Sequence, residues 1–240
     1  MKNSKAVLKM VVLSMMVALG VVISPILRFE GMCPMAHFIN IVCSVLLGPW
    51  YSLLCAVLIG IIRMAIMGIP PIALTGAIFG AFLSGVFYRM SKGKLLFAVL
   101  GEIIGTGIIG ALASYPVMTI LWGKEGLSWL FYIPSFTCGT LIGGSIAFVF
   151  LKKLSGAGVL AHFQEMLTDK SYVDKSGVVS NAVSIAAFGV ICFMVIRILT
   201  SIFRMDSPVW SWLSYSALGI FLVAAVIYLV MKKGKKEAEN

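Results

Sequence analysis

Eight apolar runs follow one another along the chain, and the polar residues between them are mostly lysines and arginines. This alternation constrains the fold more than any motif does. Inside hydrocarbon every backbone N–H and C=O must be satisfied by the protein, so only helices and closed barrels cross a bilayer. Most of the runs have about twenty residues, the length of a helix spanning the apolar core, and none shows the alternation of a barrel strand. With 60% hydrophobic residues among 240 and a mean hydropathy of +1.05, the expected fold is an all-α membrane protein. The helices are placed at 6–27, 37–48, 50–67, 72–88, 95–120, 129–151, 179–203 and 209–231.

The stretch 37–67 reads either as one long tilted span or as two short ones hinged at Gly48-Pro49-Trp50. Charge separates the two. With two spans and an inward N-terminus, Lys2, Lys5, Lys9, Arg89, Lys92, Lys94, Lys152, Lys153, Lys170, Lys175, Lys232, Lys233, Lys235 and Lys236 all fall on the cytoplasmic side. Arg28, Lys124 and Arg204 stay outside, and Arg63 and Arg197 lie within spans. One span would move most of these charges outward, against the positive-inside rule. Eight spans with both termini cytoplasmic are therefore expected. The net charge of +10 is an orientation signal and calls for no nucleic-acid partner.

The chain divides at its one long polar segment, 154–178. Residues 1–153 form a six-helix unit with short connections, and 179–240 add two helices and a basic tail. Within the segment, GVLAHFQEMLTDK puts Leu160, Phe163 and Leu167 on one face of a short cytoplasmic or interfacial helix. No internal repeat is visible, which counts against an inverted-repeat transporter.

Several chemistries lack their residues. The cysteines at 33, 43, 55, 138 and 192 form no CxxC pair, so zinc or redox work has little support and a disulfide from Cys33 is not expected. No phosphate-binding loop, HExxH or GxSxG is present. No metal or cofactor is called for. The start MKNSK followed by an apolar run resembles a signal peptide, but Lys9 interrupts the run and it continues past Ala18-Leu19-Gly20 to Leu27.

Two kinds of residue remain. Small residues four apart occur in pairs: Ser14 and Ala18, Gly76 and Gly80, Gly101 and Gly105, Gly139 and Gly143. Such faces let helix backbones approach closely, within the bundle or against another membrane protein. Ionisable groups inside spans are costly and usually face a partner or a cavity. Arg63 and Glu102 are such groups, placed about 8 Å apart in depth, so they either pair or meet a ligand. Thr106 lies one turn above Glu102. His37 and Asn40 open the second helix on one face, at the extracellular mouth beside the loop RFEGMCPMA. Tyr115 and Trp122 end the fifth helix, as an interfacial belt or as the wall of a pocket for a flat ring.

The runs AHFINIVCSVLLGPWYSLLCAVLIGIIR, GAIFGAFLSGVFYR and GEIIGTGIIGALASYPV together resemble the ThiW family, over about residues 5–153. These are S components of energy-coupling factor transporters associated with hydroxyethylthiazole, a thiamine precursor. The resemblance implies a non-catalytic six-helix binding subunit in a prokaryotic plasma membrane. It implies a small thiazole bound near the outer face, beneath the loop after the first helix. His37, Asn40, Arg63, Glu102 and Thr106 would supply polar contacts, and Tyr115 and Trp122 the wall. Ser14 and Ala18 match the family's docking pattern toward a transmembrane coupling protein shared with two cytosolic ATPases, and toppling in the lipid would release the substrate. The two extra C-terminal helices depart from the family pattern. A proton-coupled secondary transporter of a small heterocycle, working through Glu102 and Arg63 alone, is the competing expectation. A membrane enzyme would need a nucleophile or metal set at the depth of His37 or Glu102, and none is apparent.

Overall fold

A computed structural model describes residues 2–26, 28, 32–168, 171–172, 178–204 and 207–238. Residues 29–31 of the loop expected over the site lie outside this set, as do Lys170 and Lys175. The described residues are helical, in the order α1 (Lys2–Ile23), α2 (Pro34–Leu47), α3 (Pro49–Met67), α4 (Ile72–Met90), α5 (Leu95–Leu121), α6 (Ile133–Gly156), α7 (Val159–Leu167), α8 (Val178–Ile202) and α9 (Pro208–Ala238). Seven of them are long and apolar enough to cross a membrane; α2 and α7, with fourteen and nine residues, are shorter. The sixth core helix starts at Ile133, four residues later than the pattern suggests, because 129–132 form turns.

The chain separates into two compact units, Met1–Asp174 and Lys175–Asn240. In the first, α2 is the central element. Its buried positions include Ala36, Ile39, Ile41, Val42, Cys43, Val45 and Leu47, on every side of the helix. One face meets Leu13 and Val17 of α1 and Cys55 and Ile59 of α3. The other meets Tyr88 of α4, Leu95, Ala98 and Val99 of α5 and Ala147 and Leu151 of α6. A helix that is apolar all round belongs in the core rather than against water. At fourteen residues it is only about 21 Å long, well short of the bilayer core.

Its end is fixed locally. Gly48 has φ +90, and the Arg89 guanidinium packs where a Cβ would stand. Only glycine suits both demands. Pro49 then opens α3 at its first turn, where no amide donor is needed. The break expected at Gly48-Pro49 is therefore present.

Helix α5 departs from regular α geometry. Ile103–Gly110 and Val117–Leu121 are π-helical. The wider winding changes which residues share a face. Gly101, Gly105, Gly110 and Ser114 all turn toward α4, at spacings of four, five and four. A Cβ on Gly105 would lie 2.5 Å from Gly80 Cα, and one on Gly101 2.5 Å from the Leu83 carbonyl oxygen. The α4–α5 contact is thus backbone against backbone, closed by a 2.7 Å bond between the Thr75 and Ser114 hydroxyls. Gly143 of α6 faces Pro34 and His37 at the start of α2 in the same way. Three of the four small-residue pairs are internal contacts, whereas Ser14 and Ala18 are exposed on α1.

Helix α7 packs on the first unit through Leu160, Gln164 and Leu167, all buried, while Phe163 is 40% exposed. The expected face was Leu160, Phe163 and Leu167. Gln164 displaces Phe163 because its amide has three partners. Its Nε2 donates to the Val45 carbonyl (2.9 Å) and the Tyr88 hydroxyl (3.0 Å), and its Oε1 accepts from the Tyr172 amide (2.9 Å). In the second unit α8 and α9 pair antiparallel, with Phe188 on Phe221 and Phe193 on Tyr215. Arg197, the other cation placed in a span, donates to Ser211 Oγ at 3.1 Å.

Candidate functional site

Three buried polar residues of the first unit converge on one carboxylate. Glu102 is fully buried. Its Oε1 accepts from His37 Nδ1 (2.9 Å), Asn40 Nδ2 (3.0 Å) and Thr106 Oγ1 (3.2 Å). Thr106 lies one helical turn beyond Glu102. His37 and Asn40 share a face of α2, at i and i+3. The same Asn40 side-chain amide also donates to the Ala77 carbonyl at 3.3 Å, and the Asn40 backbone carbonyl accepts from Ser52 Oγ at 2.9 Å. Two helices, α2 and α5, therefore supply the contacts to one carboxylate, α4 ties down one of the donors, and α3 holds the helix that carries two of them.

The partner of Glu102 is His37, and among the described residues no ion pair joins Glu102 to Arg63. Depth along each helix left the Arg63 pair open. The packing of α2 against α5 places His37 and Asn40 beside Glu102. Glu102 Oε2 has no hydrogen-bond partner. It points at Gly80, where a Cβ would lie 2.8 Å away.

Above this network lies a pocket of about 500 Å³, counting the open space at its mouth, bounded by α2, α3, α4, α5 and α6. His37 and Thr106 meet it at one end; Ile69, Ile72, Ala73, Gly76, Ala77 and Phe136 give it apolar walls. Arg63 and Arg28 also line it. With Nδ1–H donated to the carboxylate, a neutral His37 leaves Nε2 as an acceptor. The set offers an acceptor, a hydroxyl, guanidinium donors and an aromatic face, which is the make-up of a small-molecule site.

Arg63 is 4% exposed. Its Nη2 donates to Cys33 Sγ at 3.5 Å, and its Nε has no partner. Cys33 in turn donates to the Ser24 carbonyl at 2.9 Å. All five cysteines are free thiols, and no cluster of metal ligands occurs among the described residues.

Of the aromatic residues, Phe136 of α6 lines the pocket, whereas Tyr115 and Trp122 do not. Tyr115 stacks on Trp129 with ring centroids 4.4 Å apart, and Trp122 is 53% exposed. Phe136 gave no sequence signal as a site residue, since nothing distinguishes it from other apolar residues of its helix. Just before α6, burial raises the Tyr132 phenol above its ordinary pKa, and its hydroxyl has no partner.

A buried polar network under an apolar pocket, in a bundle of membrane-length helices, is the setting of a membrane transporter. The profile of the ThiW family, described as thiamine-precursor transporter protein, matches residues 10–157. That is more than half of the chain. The chain belongs to the ThiW family. No curated protein and no solved structure matches it. As a ThiW protein it is a multi-pass membrane transporter of a thiamine precursor, a small molecule. The match ends just after α6, so the pocket and its network fall inside the ThiW region and α7–α9 fall outside it.

Proposed function

We propose that this chain is the substrate-binding S component of an energy-coupling factor transporter, and that its pocket takes hydroxyethylthiazole. The observation that carries this reading is the pocket itself, which ends on His37 and Thr106 and is walled by Phe136. A thiazole is flat and apolar on its faces, and Phe136 suits such a ring. The hydroxyethyl group donates to His37 Nε2. Arg63 donates to the ring nitrogen. Glu102 and Asn40 act as positioning residues: Glu102 holds the histidine ring in one orientation, and Asn40 ties Glu102 to the α4 backbone. No residue is assigned a catalytic role, and ATP hydrolysis belongs to separate cytosolic ATPases.

The purified chain is expected to bind hydroxyethylthiazole without ATP. Titration calorimetry showing no binding of that compound, or of other thiazole and pyrimidine precursors, would sink the substrate assignment.

Docking on a transmembrane coupling protein is assigned to α1. Ser14 and Ala18 are exposed there, flanked by exposed Met10, Val11, Met15, Leu19 and Val22. Small residues four apart allow a partner helix to approach closely. Changing both Ser14 and Ala18 to leucine should leave thiazole binding unchanged and lower cellular uptake at least about tenfold, the loss of about 1.4 kcal/mol of docking energy. Normal uptake by the double variant would exclude this face. Uptake by the chain alone in liposomes, abolished by Glu102→Gln, would instead favour a proton-coupled secondary transporter.

A further inference from the structure

Arg63 is charged, lies in the wall of the pocket, and is 4% exposed. A guanidinium has five donors and is not deprotonated in proteins. Here its hydrogen bond from Nη2 goes to a thiol sulfur, a weak acceptor, and Nε is buried without any partner. The one fully buried carboxylate nearby, Glu102, is committed to His37, Asn40 and Thr106 through one oxygen, and its other oxygen points at Gly80. An uncompensated buried cation is among the more destabilising features a membrane bundle can hold. A second arginine, Arg28, lines the same pocket. Among the described residues, those lining the pocket include no aspartate or glutamate. The site is thus polarised: the His37 ring, held on Glu102, stands at one end, and cationic donors stand at the Arg63 wall.

We infer that the Arg63 wall is an anion subsite, so that the pocket takes a thiazole bearing a carboxylate or phosphate group in preference to the neutral alcohol. This rests on the thiazole reading for the ring, but not for the charge. A planar anion accepts two parallel bonds from the guanidinium, replacing a weak sulfur contact with charge-assisted ones. Each such bond contributes about ten- to a hundredfold in affinity when the partner is otherwise left unpaired. A neutral thiazole nitrogen accepts one bond and leaves the charge uncompensated.

The test uses the purified full chain in nanodiscs and three probes: hydroxyethylthiazole, its monophosphate ester, and the same ring carrying a carboxylate. Calorimetry should give at least one anion about tenfold tighter binding than the alcohol. The better of the two identifies the anion. Arg63→Gln should remove that preference, weakening the anion by at least about tenfold more than the alcohol, and Arg63→Lys should restore part of it. The ligand-free melting temperature of Arg63→Gln should match or exceed that of the natural chain. A fall would mark Arg63 as a structural partner and overturn the inference, as would an alcohol that binds as tightly as both anions. If no thiazole binds, the thiazole reading fails. The anion subsite then stands on inorganic phosphate and benzoate: either must raise the melting temperature of the natural chain and not of Arg63→Gln, and no rise overturns it.

Discussion

Glu102→Ala should lower the stability of the first unit by about 3–5 kcal/mol, the cost of removing one partner from a buried charged network. Three donors converge on the single oxygen Oε1, and all three belong to residues at most 6% exposed. Deleting the carboxylate leaves His37 Nδ1 and Thr106 Oγ1 without an acceptor, and Asn40 with its longer bond to Ala77. Glu102→Gln is the informative comparison. Its carbonyl accepts from the same donors but carries no charge, so it should cost about 1–2 kcal/mol, within the range of a neutral hydrogen bond substituted for a charged one. Denaturation in mixed micelles, followed by the fluorescence of the tryptophans in the first unit, measures both. Equal stability of Glu102→Ala and the natural chain would mean that the network contributes nothing to folding.

Gly105→Ala should be nearly as severe, although it adds a single methyl group. The new Cβ would lie 2.5 Å from Gly80 Cα and 2.6 Å from the Phe79 carbonyl oxygen. Both are backbone atoms, so no side chain can swing aside, and α4 and α5 must separate. Overpacking of this kind costs about 1–3 kcal/mol. The separation also moves Thr106 and Glu102, which stand on α5 beside the contact. Binding of the substrate should fall with stability, by about tenfold or more for each 1.4 kcal/mol transmitted to the site. Gly156→Ala is the control, because nothing lies within 4 Å of a Cβ there. If Gly105→Ala melts at the same temperature as Gly156→Ala, the close approach of the two helices is not what holds this part of the bundle.

The helical, membrane-spanning character was legible because hydropathy and backbone satisfaction leave few alternatives. So was the break between α2 and α3, since Gly48 and Pro49 each supply a conformation that other residues resist. Faces were less legible than lengths. From Gly105, regular α periodicity carries the packed stripe to Ile108 or Ile109, yet both are exposed and Gly110 and Ser114 are buried. The π-helical winding inserts one residue into the repeat, and no residue type announces it. The same uncertainty of phase left Tyr115 and Trp122 as candidate walls while Phe136 went unnoticed. The polar residues were found because each is expensive in a membrane. Their pairing was not found, because it depends on how deep α2 begins. A helix of fourteen residues has no fixed depth until its neighbours are placed.

That short helix also sets the electrical profile of the protein. A pocket that admits water would carry the aqueous potential down to the level of His37. From His37 to Leu47, α2 continues for about 15 Å at 1.5 Å per residue. The membrane voltage would then fall across about half of the usual 30 Å, and the field there would be about twice that in plain bilayer. A unit charge crossing that layer still exchanges about 2.3 kcal/mol per 100 mV. Within this bundle, however, that work is concentrated into roughly three helical turns.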